Sequence, residues 1–141
     1  GDVITNKGEK FKPLHEIASG GEISRIMLSV SLVLSNMNPN NTLIFDEVDT
    51  GVSGATASSM GNLLKGLAAT KQLVVVTHLP QIASKAKSHI YCYKSIESSK
   101  TNAKLTYLNN QSRQEEIARM LSGEKITQHS LKQAERFILD G

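Results

Sequence analysis

Residues 42–54, TLIFDEVDTGVSG, are the stretch from which the fold is read. Four uncharged residues, Thr42, Leu43, Ile44 and Phe45, lead straight into two adjacent acids, Asp46 and Glu47. A short apolar run without alternation predicts a strand buried on both faces, as in a parallel sheet. A carboxylate pair at the C-terminal end of such a strand lies where open α/β sheets hold their ligands. Asp46 there suits a hard cation such as Mg2+, which takes oxygen ligands and keeps several waters. Glu47 points another way and suits the polarisation of an attacking water. Taken alone, an apolar run followed by Asp-Glu is common, and the plain alternative is a strand closed by solvated acids. The flanking sequence decides between the two.

Downstream, Ser53 is placed to cap a helix over residues 54–69, with Met60, Leu63, Leu64 and Leu67 as its apolar members. Gly61 and Gly66 weaken that helix. Leu73, Val74, Val75 and Val76 read as a second fully apolar strand, ending at Thr77 and His78. Pro80 suits the first turn of a short helix running to about residue 87. The order strand–helix–strand–helix implies parallel strands joined by a right-handed crossover. Upstream, residues 5–18 read as a polar loop after a strand end at residues 2–5. Ile23, Ile26, Met27, Val30 and Leu34 then give helical spacing over residues 20–37. Ser19 and Glu22 stand in the S-x-x-E relation of a capping box at its start, and Asn38-Pro39-Asn40-Asn41 ends it. Towards the C-terminus, residues 89–95 and 103–109 read as hairpin strands with a polar connection over residues 97–102. Ser112 and Glu115 predict a capping box opening a helix through Leu121, which Gly123 stops. A last helix is expected over residues 127–139, with Leu131, Ala134 and Ile138 on one side. The chain has no internal repeat, heptad array or low-complexity tract.

A chain of 141 residues can build one domain with a real core. Hydrophobic residues at 39% and charged residues at 21% are ordinary for a globular protein. Aromatic residues are only 4% with no Trp, so no base-stacking platform is evident. The net charge of +3 permits contact with nucleic acid without arguing for it. One cysteine, Cys92, excludes an internal disulfide, and no Cys/His cluster has zinc spacing. A reducing, cytoplasmic setting fits, and no stretch approaches the ~20 apolar residues of a membrane span. The first residues, GDVITNKGEK, lack an apolar signal core. They begin abruptly, as expected of a segment boundary rather than a natural start.

The capping box accounts for Ser19 and Glu22 but not for Gly20 and Gly21. Each Gly near a helix start costs up to ~1 kcal/mol relative to Ala. Missing side chains let another group approach the backbone, and helix N-termini offer N–H groups and a positive dipole end to anions. A phosphate held by Ser19 Oγ and these N–H groups is the functional reading; a flexible hinge before a helix is the plain one. His78, after the second strand, also lies at the carboxyl edge of the sheet, where a neutral imidazole can donate to a phosphate oxygen or orient a water. An isolated His is more often bonded to a local carbonyl. Acids ending one strand and a histidine ending the next, one crossover unit apart, make a more specific combination than either alone.

In combination these motifs resemble the ABC-type ATPases. Ala18-Ser19-Gly20-Gly21-Glu22 is similar to the signature motif, and Leu43-Ile44-Phe45-Asp46-Glu47 to the Walker B strand with its catalytic glutamate. Residues 48–54 occupy the D-loop, and Thr77-His78 is similar to the switch histidine. The fuller wording IASGGEISRIML, TLIFDEVDTGVSG, VVVTHLPQIA and EEIARMLSGEKIT resembles the RecN family of bacterial DNA-repair proteins, relatives of the SMC (structural maintenance of chromosomes) proteins.

The resemblance spans nearly the whole chain. It implies an α/β, P-loop NTPase fold of the ABC/SMC-head C-terminal-lobe type over residues 1–141, with a mainly parallel sheet flanked by helices and a C-terminal hairpin and helices. It also implies ATP and Mg2+ as cofactors, with catalytic Glu47 and His78, metal-binding Asp46, and nucleotide-binding Ser19, Gly20, Gly21, Glu22 and Ser53. The implied partners are a second ATPase head acting in trans as a homodimer, an N-terminal Walker A lobe of the same protein, and DNA. The implied work is double-strand break repair and recombination in the cytoplasm, at the nucleoid, with no membrane. No G-x-x-x-x-G-K-[ST] sequence occurs, so this segment by itself lacks the loop that cradles the β- and γ-phosphates.

Two departures from the wider ABC pattern, Glu22 for the usual Gln and Ser53 for the usual Asp, agree with RecN. A helix over residues 20–37 is about 27 Å long, and a strand of roughly 13 Å returns alongside it. Ser19 and Asp46 are then on the order of 14 Å apart, too far for one γ-phosphate to touch both within one chain. Service of the opposite subunit's nucleotide by Ser19, as the resemblance implies, meets that requirement. Two other readings compete: a lobe of another SMC/ABC-type ATPase, such as a transporter subunit, and a non-catalytic interaction module.

Overall fold

The computed structural model describes residues 2–3, 12–13, 29, 33, 42–46, 49–123 and 125–141. The chain divides into two compact units, Gly1–Ile82 and Ala83–Gly141.

In the first unit, β1 (Asp2–Val3), within the expected strand end, pairs antiparallel with β2 (Lys12–Pro13), which falls in the stretch the sequence presents as a polar loop. β3 (Leu43–Asp46) and β4 (Leu73–Val76) pair in parallel, with Leu43 opposite Leu73 and Asp46 opposite Val76. The parallel arrangement is the one the strand–helix–strand order implies. Between them runs α1 (Gly54–Ala68). Its buried residues Ala57, Met60, Gly61, Leu64 and Leu67 recur at helical spacing, while Leu63 faces solvent. Ala57, Met60, Leu64 and Leu67 form one core with Phe45, Val52 and Ile82, against which Leu43, Leu73, Val75 and Leu79 pack.

β3 departs from the expectation of burial on both faces. Phe45 is buried, but Ile44 is 71% exposed, and Val74 and Val76 are exposed on the paired strand. Side chains alternate across a strand, so one face of this pair meets the α1 core and the other does not. Apolarity on both faces therefore did not report burial on both. α2 (Pro80–Ala83) is one turn long and stops well short of residue 87.

In the second unit, β5 (Ile90–Glu97) and β6 (Lys100–Tyr107) form an antiparallel hairpin. The expected six-residue connection is only Ser98 and Ser99, with φ of 48° and 65°. Positive φ at both central residues is the geometry of a tight hairpin turn, and the Lys104–Glu97 ion pair ties the strands beside it. α3 (Asn110–Ser122) and α4 (Gln128–Leu139) pack through Ile117, Ala118 and Ala134, with Leu121, Leu131, Phe137 and Ile138 around them.

The capping box expected from Ser112 and Glu115 lies one turn earlier. Asn109 Oδ1 accepts from Ser112 N–H at 2.8 Å, and Ser112 Oγ accepts from Asn109 N–H at 2.9 Å. Ser112 is thus the third helical residue and not the cap, because Asn109 is an equally good cap sitting where the chain is still extended. Gly123, at φ 80°, ends α3 as expected. Arg113 Nη2 reaches the carbonyls of Ala83, Ser84 and Ala86 at 3.3, 3.0 and 2.6 Å, fixing the chain after α2 to α3.

Candidate functional site

The carboxyl edge of the β3–β4 pair gathers the residues of interest. Asp46 is the last residue of β3 and is exposed. Its register partner Val76 ends β4, so Thr77 and His78 leave the sheet at the same edge. The helix Ser19 was expected to open, residues 20–37, lies outside the described residues except for Ser29 and Val33, which are both helical. Ser19, Gly20, Gly21, Glu22 and Glu47 also lie outside them.

Two residues past Glu47 in sequence, the chain makes a tight turn. Val52 N–H donates to Asp49 carbonyl oxygen at 3.0 Å. Gly51, third in that turn, has φ 72°, a conformation that disfavours any side chain. The buried Val52 anchors the turn's far end in the same core as Phe45. Both ends of the loop after β3 are therefore fixed by apolar packing, and the turn carries Asp49 into the interior.

Asp49 is 1% exposed. Its Oδ2 accepts a hydrogen bond from Thr77 Oγ1 and another from His78 backbone N–H at 3.2 Å. Thr77 Oγ1 in turn accepts from Leu79 N–H at 3.0 Å. Oδ1 of Asp49 is buried and has no hydrogen-bond partner among the described residues. The His78 imidazole behaves oppositely: its side chain is 74% exposed, and Nδ1 stands 3.6 Å from Asp49 Oδ2, outside hydrogen-bond reach. The backbone of His78 is held and its ring projects.

Ser53 is the N-cap residue of α1, as the sequence suggests, but its side chain makes no capping hydrogen bond. An exposed hydroxyl with no capping duty is able to meet another group. Asp46 fits Mg2+ by type and place, as one exposed carboxylate at a strand end, since that ion is held by one or two carboxylates with waters and phosphates. Among the described residues no group of three or more His, Cys, Asp or Glu could by itself hold a metal ion. No helix among them is long and apolar enough to cross a membrane.

Sequence reading picked out Asp46, Ser53 and His78 but not Asp49 or the hydroxyl of Thr77. The signal was an acid placed just before Thr-Gly, a turn sequence, in a loop already flagged by Asp46 and Glu47. A buried role is not visible in it, because Asp in a turn is usually solvated.

No family model matches the chain. It is similar to the DNA repair protein RecN of several bacteria: 42% identical over 134 residues to that of Rickettsia typhi, 40% over 139 to that of Treponema pallidum, and 36% over 136 to that of Bacillus subtilis. These matches cover 95%, 99% and 96% of this chain but 24% of each relative, so the chain spans about a quarter of their length. Among solved structures, a chain from work on the ATP-driven dimerization and DNA-stimulated activation of SMC ATPases has a similar fold. Its TM-score is 0.59 at 19% identity, with 84% of this chain and 70% of that chain covered.

Proposed function

We propose a function from one premise: the chain belongs to the RecN family over the segment it spans. Its fold is that of an SMC ATPase head lobe. On our reading it is the C-terminal lobe of an ABC-type ATPase head, working in DNA double-strand break repair and recombination at the nucleoid. It supplies signature, Walker B, D-loop and switch residues to a composite ATP site, and a separate lobe supplies Walker A. The observation that supports this best is the convergence of Asp46 and His78 on one edge of a parallel strand pair. Open α/β sheets hold their ligands at such an edge, outside the carboxyl ends of the strands.

Each residue has a distinct task in this reading. Asp46 holds Mg2+, whose chemistry is to neutralise charge developing on the phosphates. Glu47 takes the proton of the attacking water. His78 offers its exposed ring as a donor towards the terminal phosphate. Ser19, Gly20, Gly21 and Glu22 form an anion-binding helix mouth that serves the nucleotide of the facing head, and Ser53 meets that head across the dimer. DNA and the second head are the macromolecular partners.

The test separates the two acids in the protein that also carries the Walker A lobe. Asp46→Asn weakens magnesium-dependent nucleotide use. Glu47→Gln spares ATP binding, blocks hydrolysis and traps closed head dimers. Normal hydrolysis by Glu47→Gln removes Glu47 as the base.

A further inference from the structure

We propose that Asp49 is the positioning residue of His78: one buried carboxylate oxygen locks the switch segment to the loop that follows the Walker B acids. The inference rests on the functional reading above for its catalytic consequence, and on geometry alone for the lock itself. Oδ2 takes both the Thr77 hydroxyl and the His78 N–H. Thr77 Oγ1 also accepts from Leu79 N–H, so the carboxylate, twenty-eight positions upstream of Thr77, holds the two residues after β4 directly and Leu79 through the Thr77 hydroxyl. The loop carrying Asp49 is itself fixed by its turn and by Val52. A displacement of that loop therefore moves the backbone from which the imidazole projects.

Two features point beyond a simple structural tie. Oδ1 is buried without a partner among the described residues, and an unsatisfied desolvated oxygen is a cost that a hydroxyl in the same role avoids. The group so held is also an exposed ring and not a core side chain. A fixed base with a projecting tip is the arrangement that aims a side chain at a ligand with little freedom to lose on contact.

The lock is read first in the chain itself, by hydrogen exchange. In Asp49→Ala the His78 amide exchanges at least about tenfold faster, while the amides of Val74 and Val76 keep their rates, as expected of a local opening. His78 exchange that is unchanged, or that rises in step with all of β4, overturns the lock. Thr77→Val shifts His78 exchange in the same direction and Thr77→Ser restores it, so the question survives if Asp49→Ala does not fold.

The catalytic part is read in the protein that carries the Walker A lobe. Misplacement of a reacting group by ~1 Å costs about a hundredfold. Asp49→Ala lowers kcat by about that factor, with KM for ATP within about threefold of its starting value. In a His78→Ala background the same substitution costs less than about twofold further, because it acts through the ring already removed. An equal loss in that background overturns the positioning role. Normal turnover by His78→Ala itself defeats the switch reading and with it the catalytic part, while the exchange result still judges the lock.

Discussion

α3 and α4 open on closed capping boxes, whereas α1 opens on Ser53, whose hydroxyl makes no capping bond. At α4, Thr127 Oγ1 accepts from Ser130 N–H at 3.0 Å, and Ser130 Oγ accepts from Thr127 N–H at 2.8 Å. The second unit commits these polar side chains to its own backbone. The first unit does otherwise at its sheet edge, with Ser53 uncapped, Asp49 half satisfied and the His78 ring in solvent. A cap contributes about 1 kcal/mol, and forgoing it has a physical reason when the hydroxyl has another partner to meet. The contrast separates a unit whose cap side chains are bonded to its own backbone from a unit whose sheet edge leaves polar groups exposed or unpaired among the described residues.

The largest expected effect falls on the first unit. With the Walker A lobe present, Ser19→Arg lowers ATP turnover by at least about a hundredfold, the scale of losing a group aimed at developing charge. The fold and ATP binding by the same head persist, measured by circular dichroism and nucleotide filter binding. A heterodimer pairing Ser19→Arg with a Walker A lysine mutation in the other subunit keeps one whole site, if the site forms in trans. Normal hydrolysis by the Ser19→Arg homodimer leaves that serine with capping alone.

Next in size is the core of the second unit. Ile117 is fully buried between α3 and α4, and Ile117→Ala destabilises that unit by about 3 kcal/mol. Protection of α3 and α4 amides from hydrogen exchange is the readout. Cap substitutions sharpen the comparison itself. Asn109→Ala and Thr127→Ala each cost about 1 kcal/mol. Ser53→Ala changes stability by less than about 0.5 kcal/mol, as for a surface site with no bond to lose. A Ser53→Ala cost equal to the others would erase the distinction between the units.

The smallest effect is a pH dependence of the second unit. Burial, and secondly the neighbouring Arg113, hold His89 below its ordinary value of 6.5, with Glu116 pulling the other way. The unfolded chain then binds that proton more readily than the folded unit does. The stabilisation is full above about pH 6.5 and is lost as pH falls through the lowered folded value. Urea midpoints for that unit at pH 7.5 and 5.5 read the slope, and His89→Gln flattens it.

Much of this was legible where short-range physics decides. β4 falls on residues 73–76 as read, α1 begins beside the expected cap Ser53, and α4 begins at Gln128, one residue from the expected start. The misplaced features have local causes too. Asn109 and Ser112 both offer cap chemistry within one turn, and the sequence does not rank them. Ser98-Ser99 makes a tight turn without the Gly or Asn that usually advertises one. For the site, the motif order pointed to Asp46 and His78, which lie at the carboxyl edge of the β3–β4 pair, and to Ser53, the N-cap residue of α1. Asp49 escaped because its role depends on a contact across twenty-eight residues, and nothing in a turn acid's neighbours reveals burial.

The most direct test of the central claim is reconstitution. The purified chain is mixed with a Walker A lobe, and phosphate release is followed with and without Mg2+. The account predicts negligible release from the chain alone, magnesium-dependent release from the mixture, and loss of that release in Glu47→Gln. Robust hydrolysis by the chain alone after contaminant controls, or a reconstituted rate indifferent to Glu47→Gln, would contradict it.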